Sequence, residues 1–165
     1  MISLNARLDE QVTTYVAAAG LLLTSTLGDT MYVSMKGYSR ARITIVIADG
    51  TTVTGTAVTL KQATAVAGTN EKALAFTRML ANTDYAASKT MTETAVTSNT
   101  FTTQTTNSKD SVYFIDLKAE DLDLANGFDC FRVDATGHAA TASRGCVVIY
   151  DLYGPRYAGA SALTD

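Results

Sequence analysis

The sequence has little of what catalytic and metal sites are made from. Its 165 residues include one histidine, two cysteines, one proline and no tryptophan. To act as a general base, His138 would need a nucleophile and an orienting carboxylate, and no G-x-S-x-G turn supplies a serine. Neither G-x-x-x-x-G-K-[ST] nor G-x-G-x-x-G occurs, so nucleotide binding has no motif. We therefore expect no enzyme activity, no catalytic residues, no cofactor and no metal.

The two cysteines lie in short apolar runs, FDCFRV around Cys130 and RGCVVIY around Cys146. Their spacing, together with a single histidine, matches no zinc motif. A disulfide is the alternative, but a chain without an export signal keeps its thiols reduced. Since free cysteine commonly behaves as a small buried hydrophobe, we predict two buried thiols.

Charge is also sparse. Charged residues make up 18% of the chain and the net charge is −3, whereas about 25% is usual for soluble domains. No block of lysine or arginine offers a groove for phosphates, so we expect no nucleic-acid partner. Threonine, serine, asparagine and small residues must cover most of the surface.

Long hydrophobic runs are absent as well. The run Tyr15–Leu23 (YVAAAGLLL) is too short to cross a bilayer. Asp9 and Glu10 precede it, where a signal peptide would be basic. We therefore expect a cytosolic product with no membrane partner.

What the chain does have is β-branched residues in alternation with others. Residues 41–47 (ARITIVI) alternate polar and apolar positions, which predicts a half-buried strand. Asp49-Gly50 suits a tight turn, and residues 53–63 resume the alternation, so these two runs predict a hairpin or near-hairpin. Further strands are predicted at 111–117 (SVYFIDL, apolar on both faces), 128–134 and 145–153. Seven or eight strands in all indicate a mainly β, single antiparallel sandwich or jelly-roll-like domain.

Three segments are open to two interpretations. Residues 73–80 fit strand or helix, with strand favoured by the neighbouring strands, and the threonine-rich residues 90–106 fit a one-sided strand or a long loop. Residues 118–123 (KAEDLD) predict one helical turn or a tight acidic loop.

The domain plan is an N-terminal arm or short helix over 1–30, a β-sandwich over 31–154 and a C-terminal tail over 155–165. Leu4, Leu8, Val12 and Tyr15 have helical spacing, and both the short helix and the extended arm stay open. We expect both extended ends to pack on neighbouring subunits.

Two side-chain sets could carry binding. The acidic group, which comprises Asp116, Glu120, Asp121 and Asp123, could hold a cation, but it lacks the EF-hand pattern and equally suits a capped turn. The tyrosines could stack on sugars, although most lie in strand patterns, which favours core or interface packing. They are Tyr32, Tyr38, Tyr113, Tyr150, Tyr153 and Tyr157.

Four stretches resemble a family of small virion structural proteins, which are encoded in the head-morphogenesis region of tailed bacteriophages and prophages. The stretches are VSMKGYSRARITI (33–45), VTLKQATAVAG (58–68), AEDLDLANGFDCFRVD (119–134) and LYGPRYAGA (152–160).

The resemblance implies a head decoration, or cement, protein on the outside of the major capsid shell. Its implied partners are the major capsid protein and further copies of itself, as a homo-trimer or homo-dimer. Its implied location is the virion surface, with assembly in the host cytoplasm. A head-tail connector, tail or baseplate component is the first alternative, and a carbohydrate-binding module is the second. The threonine-rich stretch TTVTGTAVTLKQATAV (51–66) fits a stiff scaffold, because β-branching restricts χ1 and suits the pleat.

Overall fold

The computed structural model describes residues 11–22, 31–48, 55–106, 108–135 and 145–155. Within them the chain forms eleven strands and two single turns of 3₁₀ helix. The strands are β1 (Val12–Leu22), β2 (Val33–Ser34), β3 (Arg40–Ala48), β4 (Ala57–Ala63), β5 (Lys72–Ala73), β6 (Arg78–Asn82), β7 (Thr92–Ala95), β8 (Thr100–Thr102), β9 (Ser111–Lys118), β10 (Cys130–Ala135) and β11 (Gly145–Tyr153). The 3₁₀ turns are Ala119–Asp121 and Leu124–Asn126.

The strands form two sheets in which every pairing is antiparallel. The six-stranded sheet has the order β1-β11-β3-β9-β6-β7. The five-stranded sheet has the order β2-β10-β4-β5, with β8 also paired to β4. A mainly β, antiparallel two-sheet fold is thereby confirmed, while jelly-roll connectivity stays a prediction.

The core lies between the sheets because the side chains of each strand alternate between its two faces. On β3, Ile43, Ile45 and Ile47 are at most 1% exposed, while the residues between them, Thr44 and Val46, are half-buried. Tyr150 of β11 and Phe131 of β10 meet across the core with ring centroids 5.1 Å apart. These contacts join one sheet to the other.

The N-terminal helix prediction is wrong for residues 12–22, which form β1. This strand pairs with β11 from Val12 opposite Tyr153 to Leu22 opposite Gly145, with irregular register after Val16. Tyr15 packs against the core, so β1 belongs to its own chain's sheet and is not an arm. The rest of the predicted arm, residues 1–10 and 23–30, lies outside the described residues, as does the tail from 156 to 165.

The predicted hairpin of residues 41–47 and 53–63 is also wrong. β3 pairs with β11 on one side and β9 on the other, while β4 pairs with β10 in the opposite sheet. Both edges of β3 are therefore occupied by strands distant in sequence. The Asp49-Gly50 turn lies outside the described residues.

The three open segments are now assigned. Residues 73–80 contain the end of β5 and the start of β6, which confirms the strand interpretation. The threonine-rich segment contributes β7, exposed at all four residues, and β8. The KAEDLD segment forms a 3₁₀ turn whose Asp121 carboxylate accepts a hydrogen bond from the Lys118 backbone N–H at 2.7 Å.

Candidate functional surfaces

The acidic group does not converge on one point. The Asp116 carboxylate accepts two hydrogen bonds from the Arg42 guanidinium, at 2.8 and 3.3 Å. The Glu120 carboxylate accepts one from the Lys118 ammonium at 3.0 Å. Across the described residues, no three histidine, cysteine, aspartate or glutamate side chains are grouped to hold a metal ion.

Asp123, the last member of the acidic group, forms an ion pair with a lysine. Lys72 donates to its carboxylate, and this contact, aided by hydrogen bonds from Asn126, holds the pKa of Asp123 below its ordinary value. Within the acidic group, Asp121 and Asp123 accept hydrogen bonds inside the two 3₁₀ turns, as the capped-turn interpretation described, whereas Asp116 pairs with Arg42 across the sheet.

The remaining sequence candidates are either internal or outside the described residues. Cys130 and Cys146 are both buried, as predicted, and they lie on strands of different sheets. His138 lies outside the described residues, and so does Tyr157.

Four of the six candidate tyrosines are buried, which confirms that they pack inside the protein. Tyr38, Tyr113 and Tyr150 are at most 1% exposed and lie in the core between the sheets, whereas Tyr32, 5% exposed, packs with Ala63 and Cys130 in a second, smaller cluster. The Tyr150 hydroxyl accepts a hydrogen bond from the Val133 N–H at 2.9 Å. These four rings therefore form no exposed platform for stacking sugars.

The outer face of the five-stranded sheet carries a compact set of charges. Lys61 of β4 and Arg132 of β10 lie directly opposite each other, an arrangement of like charges that is unfavourable alone. Two carboxylates and one phenol hydroxyl offset this repulsion. We call this set the charged network: Tyr32, Lys61, Glu71, Arg132 and Asp134.

Each acid of the charged network joins both cations. Glu71 lies 2.6 Å from Lys61 and 2.8 Å from Arg132, through separate carboxylate oxygens. Asp134 lies 2.6 Å from Lys61 and 3.3 Å from Arg132. The Tyr32 hydroxyl donates to Glu71 at 2.6 Å, and its ring lies under the Arg132 guanidinium.

These contacts fix the protonation states. Burial alone would raise the pKa of Glu71, but hydrogen bonds from Lys61 and Tyr32 and the charge of Arg132 outweigh it and lower that pKa. Hydrogen bonds to Asp134 and Glu71 raise the pKa of Lys61. Burial, helped by the bond to Glu71, raises the pKa of Tyr32. None of these three groups is poised to exchange a proton near neutral pH, so the network suits rigidity better than acid-base chemistry.

The outer face of the six-stranded sheet is different. Seven apolar side chains project from five adjacent strands, and all are half-buried except Val16, which is 55% exposed. We call them the apolar rows. They are Val16 on β1, Val147 and Ile149 on β11, Val46 on β3, Val112 and Phe114 on β9, and Leu80 on β6.

The register aligns these side chains across the sheet. One row runs from Val16 through Ile149, Thr44 and Phe114 to Leu80. The second joins Val147, Val46 and Val112. Outward positions of a two-sheet protein are usually polar, so these rows are a candidate contact surface.

A charged row borders the apolar rows on the same face. It crosses β11, β3, β9 and β6 with signs that alternate: Asp151, Arg42, Asp116 and Arg78. The ion pairs that its members make are open to water, since the Arg42 and Asp116 side chains are 41% and 47% exposed. Arg78 reaches Glu93 of β7 at 3.1 Å.

Beyond the charged row the face opens into a groove of about 990 Å³. Its lining includes Arg40, Lys118, Tyr153 and Pro155. Arg40 and Lys118 lie directly opposite each other, and among the described residues Arg40 makes no ion pair. Lys118 has Glu120 as partner.

The sequence did not reveal either the charged network or the apolar rows as a surface. The same-face pair Arg132 and Asp134 on β10 was a visible signal, whereas nothing placed Glu71 beside them. The stretch SVYFIDL, apolar on both faces, was the signal for the apolar rows, and it was interpreted only as a central strand.

No protein-family model, curated protein or solved structure compared with this chain matches it. No helix in the described part of the chain is long and apolar enough to cross a membrane.

Proposed function

We propose that this chain is a non-enzymatic virion structural protein, a decoration or cement protein that binds the outer surface of a bacteriophage capsid and stabilises it. The four stretches that resemble phage virion proteins suggest the setting. The observation that carries the proposal is the outer face of the six-stranded sheet, where the apolar rows stand open on a stiff scaffold. Such a surface suits lasting contact with protein.

The described charges support a role in contact rather than in chemistry. The charged network neutralises itself, and each member of the acidic group is bound to a neighbour. A cement protein has to bridge capsomers against the outward pressure of packaged DNA, which demands stiffness. Two sheets joined by a tight core supply it.

Its partners are the major capsid protein and further copies of itself, as a dimer or trimer on symmetry axes of the shell. When an oligomer makes many weak contacts with one capsid lattice, each contact that forms raises the effective concentration for the next, so the overall affinity is high. The protein acts on the virion surface after synthesis in the host cytoplasm.

The test is to disrupt the gene and compare purified virions with and without the protein. We expect abundance close to that of the capsid protein, and earlier release of DNA on heating when the protein is missing. A few copies per particle would contradict the cement role and favour a connector, tail or baseplate component. Absence from virions, with binding on a glycan array, would favour a carbohydrate-binding module.

A further inference from the structure

We propose that the outer face of the six-stranded sheet is the interface of a two-fold homodimer, with the axis along the strands between β3 and β9. The inference specifies the self-association in the proposed function. Its evidence is the pattern on the sheet and its test uses purified protein alone, so failure of the dimer would leave the virion role standing.

The first argument is the composition of the face. Seven apolar side chains occupy the apolar rows, with Thr44 between Ile149 and Phe114. An outward face of this composition resembles the inner face of a sandwich, and sheets that bury such faces stack about 10 Å apart. A second copy provides the same composition in return.

The second argument is the symmetry of the rows. A two-fold axis between β3 and β9 sets β3 against β9 of the partner subunit and β11 against its β6. Ile149 then meets Leu80 of the partner subunit, and Val46 meets Val112 of the partner subunit. The centre of the apolar rows therefore meets apolar side chains, whereas at the edges Val16 faces Glu93 of the partner subunit and Val147 faces Asn82 of the partner subunit.

The third argument is the sign alternation of the charged row. The same axis places Asp151 against Arg78 of the partner subunit, and Arg42 against Asp116 of the partner subunit. An axis across the strands can pair the apolar rows only when it lies between them, and the charged row then faces the Ala48 and Gly145 end of the sheet. The axis along the strands is therefore the one that also gives the charged positions partners of opposite sign.

Arg40 and Lys118 add a further cost to this arrangement, because Arg40 would face the like charge of Lys118 of the partner subunit. They lie at the far end of the face, in the groove, where water and Glu120 reduce the repulsion. The contact is therefore closest at the apolar rows and open at the groove.

The fourth argument is area. Strands spaced ~4.8 Å apart, rising ~3.3 Å per residue, give the six-stranded sheet a face of roughly 700 Å². A standard interface buries about 800 Å² on each partner. The whole face is therefore close to the lower end of the standard range, which is about 600 Å² on each partner.

The geometric test is cross-linking of the variant Leu80→Cys/Ile149→Cys. Within one chain these positions lie on β6 and β11 with two strands between them, about 14 Å apart. A bismaleimide shorter than that distance cannot join them within one chain. We expect covalent dimers from the double variant and almost none from either single variant or from the parent, whose described cysteines are buried.

The energetic test is a charge exchange at positions 78 and 151. Asp151→Arg and Arg78→Asp should each weaken the dimer on the order of 100-fold, because each places like charges together across the axis. The double variant restores opposite charges and should regain most of the affinity. Sedimentation equilibrium measures the dissociation constant, and circular dichroism confirms that each variant is folded.

A parent protein that is monomeric at tens of micromolar (~10⁻⁵ M, a weak affinity) would overturn the proposal. A trimer, or a dimer that is unchanged by all these variants, would overturn it too, since self-association would then use another surface.

Discussion

The outer faces of the two sheets arise from the same alternation of side chains, but they differ in how their charged side chains are buried and paired. On the five-stranded sheet, Arg132 and Asp134 are 17% and 15% exposed and belong to a network that leaves few charges unmatched. On the six-stranded sheet, Arg42 and Asp116 are more than 40% exposed and border open apolar rows. The charges of the first face pair within the monomer, whereas we propose that the second face is covered by a second copy of the chain.

Exposure decides how much each set of charges contributes to stability. An exposed ion pair contributes about 0 to 1 kcal/mol, whereas removing one member of a desolvated set leaves the other charges poorly compensated. The two faces should therefore respond differently to the same substitution.

The sharpest contrast is between Arg132→Ala and Arg42→Ala. We expect Arg132→Ala to lower the free energy of unfolding by about 2 kcal/mol, because Glu71 and Asp134 keep only Lys61 as their common cation. Arg42→Ala should cost less than about 1 kcal/mol, because water solvates Asp116 in its place. Urea unfolding of both variants, followed by circular dichroism, gives the comparison.

Arg42→Ala serves as the matched control, since both arginines lie on central strands and pair across to a neighbour. If the two variants lose the same free energy of unfolding, the charges of the charged network interact no more strongly than an ordinary pair of surface charges.

A smaller effect is expected from pH. The folded-state pKa of Glu71 lies below its ordinary value of 4.5, so its contribution is present above that value and is lost as pH falls through the lowered pKa. Glu71→Gln should therefore cost about 1 kcal/mol near neutral pH and progressively less in acid. Unfolding free energies measured from pH 7 to pH 3 check this convergence.

The corresponding change on the other face is Glu93→Gln, whose partner Arg78 is 63% exposed. We expect it to cost less than Glu71→Gln near neutral pH, because water screens so exposed an ion pair. If Glu93→Gln costs more than Glu71→Gln, the assignment of the coupled charges to the five-stranded sheet is wrong.

The sequence was sufficient for the strands and insufficient for their partners. Alternation located β3, β9, β10 and β11 within a residue or two, because period-two burial is local information. The hairpin of residues 41–47 and 53–63 failed because β3 gains more from pairing with β9 and β11, and nothing local encodes such distant pairing. The helical spacing that included Val12 and Tyr15 lost to pairing with β11 for a similar reason.

The surfaces show the same limit. Burial of both cysteines followed from their apolar surroundings in the sequence, and burial of the four tyrosines was predicted from the strand patterns in which most tyrosines lie. The charged network did not, since Glu71 lies in a turn before β5 and meets Lys61 and Arg132 only through the fold. The apolar rows can be recognised as one surface only when the order of the strands in the sheet is known.

The smallest expected effect concerns the threonines. Thr44 lies within the apolar rows, and Thr59 lies on the opposite sheet with its hydroxyl 3.0 Å from that of Thr100. Thr44→Val should leave the unfolding free energy within about 0.5 kcal/mol of the parent, because valine keeps the β-branched shape. Thr59→Val should lose about 0.5 kcal/mol with its hydrogen bond. We also expect Thr44→Val, but not Thr59→Val, to tighten the dimer in sedimentation, because only the six-stranded face would gain apolar contact surface. Equal dimerisation of the two variants would contradict the distinction between the faces.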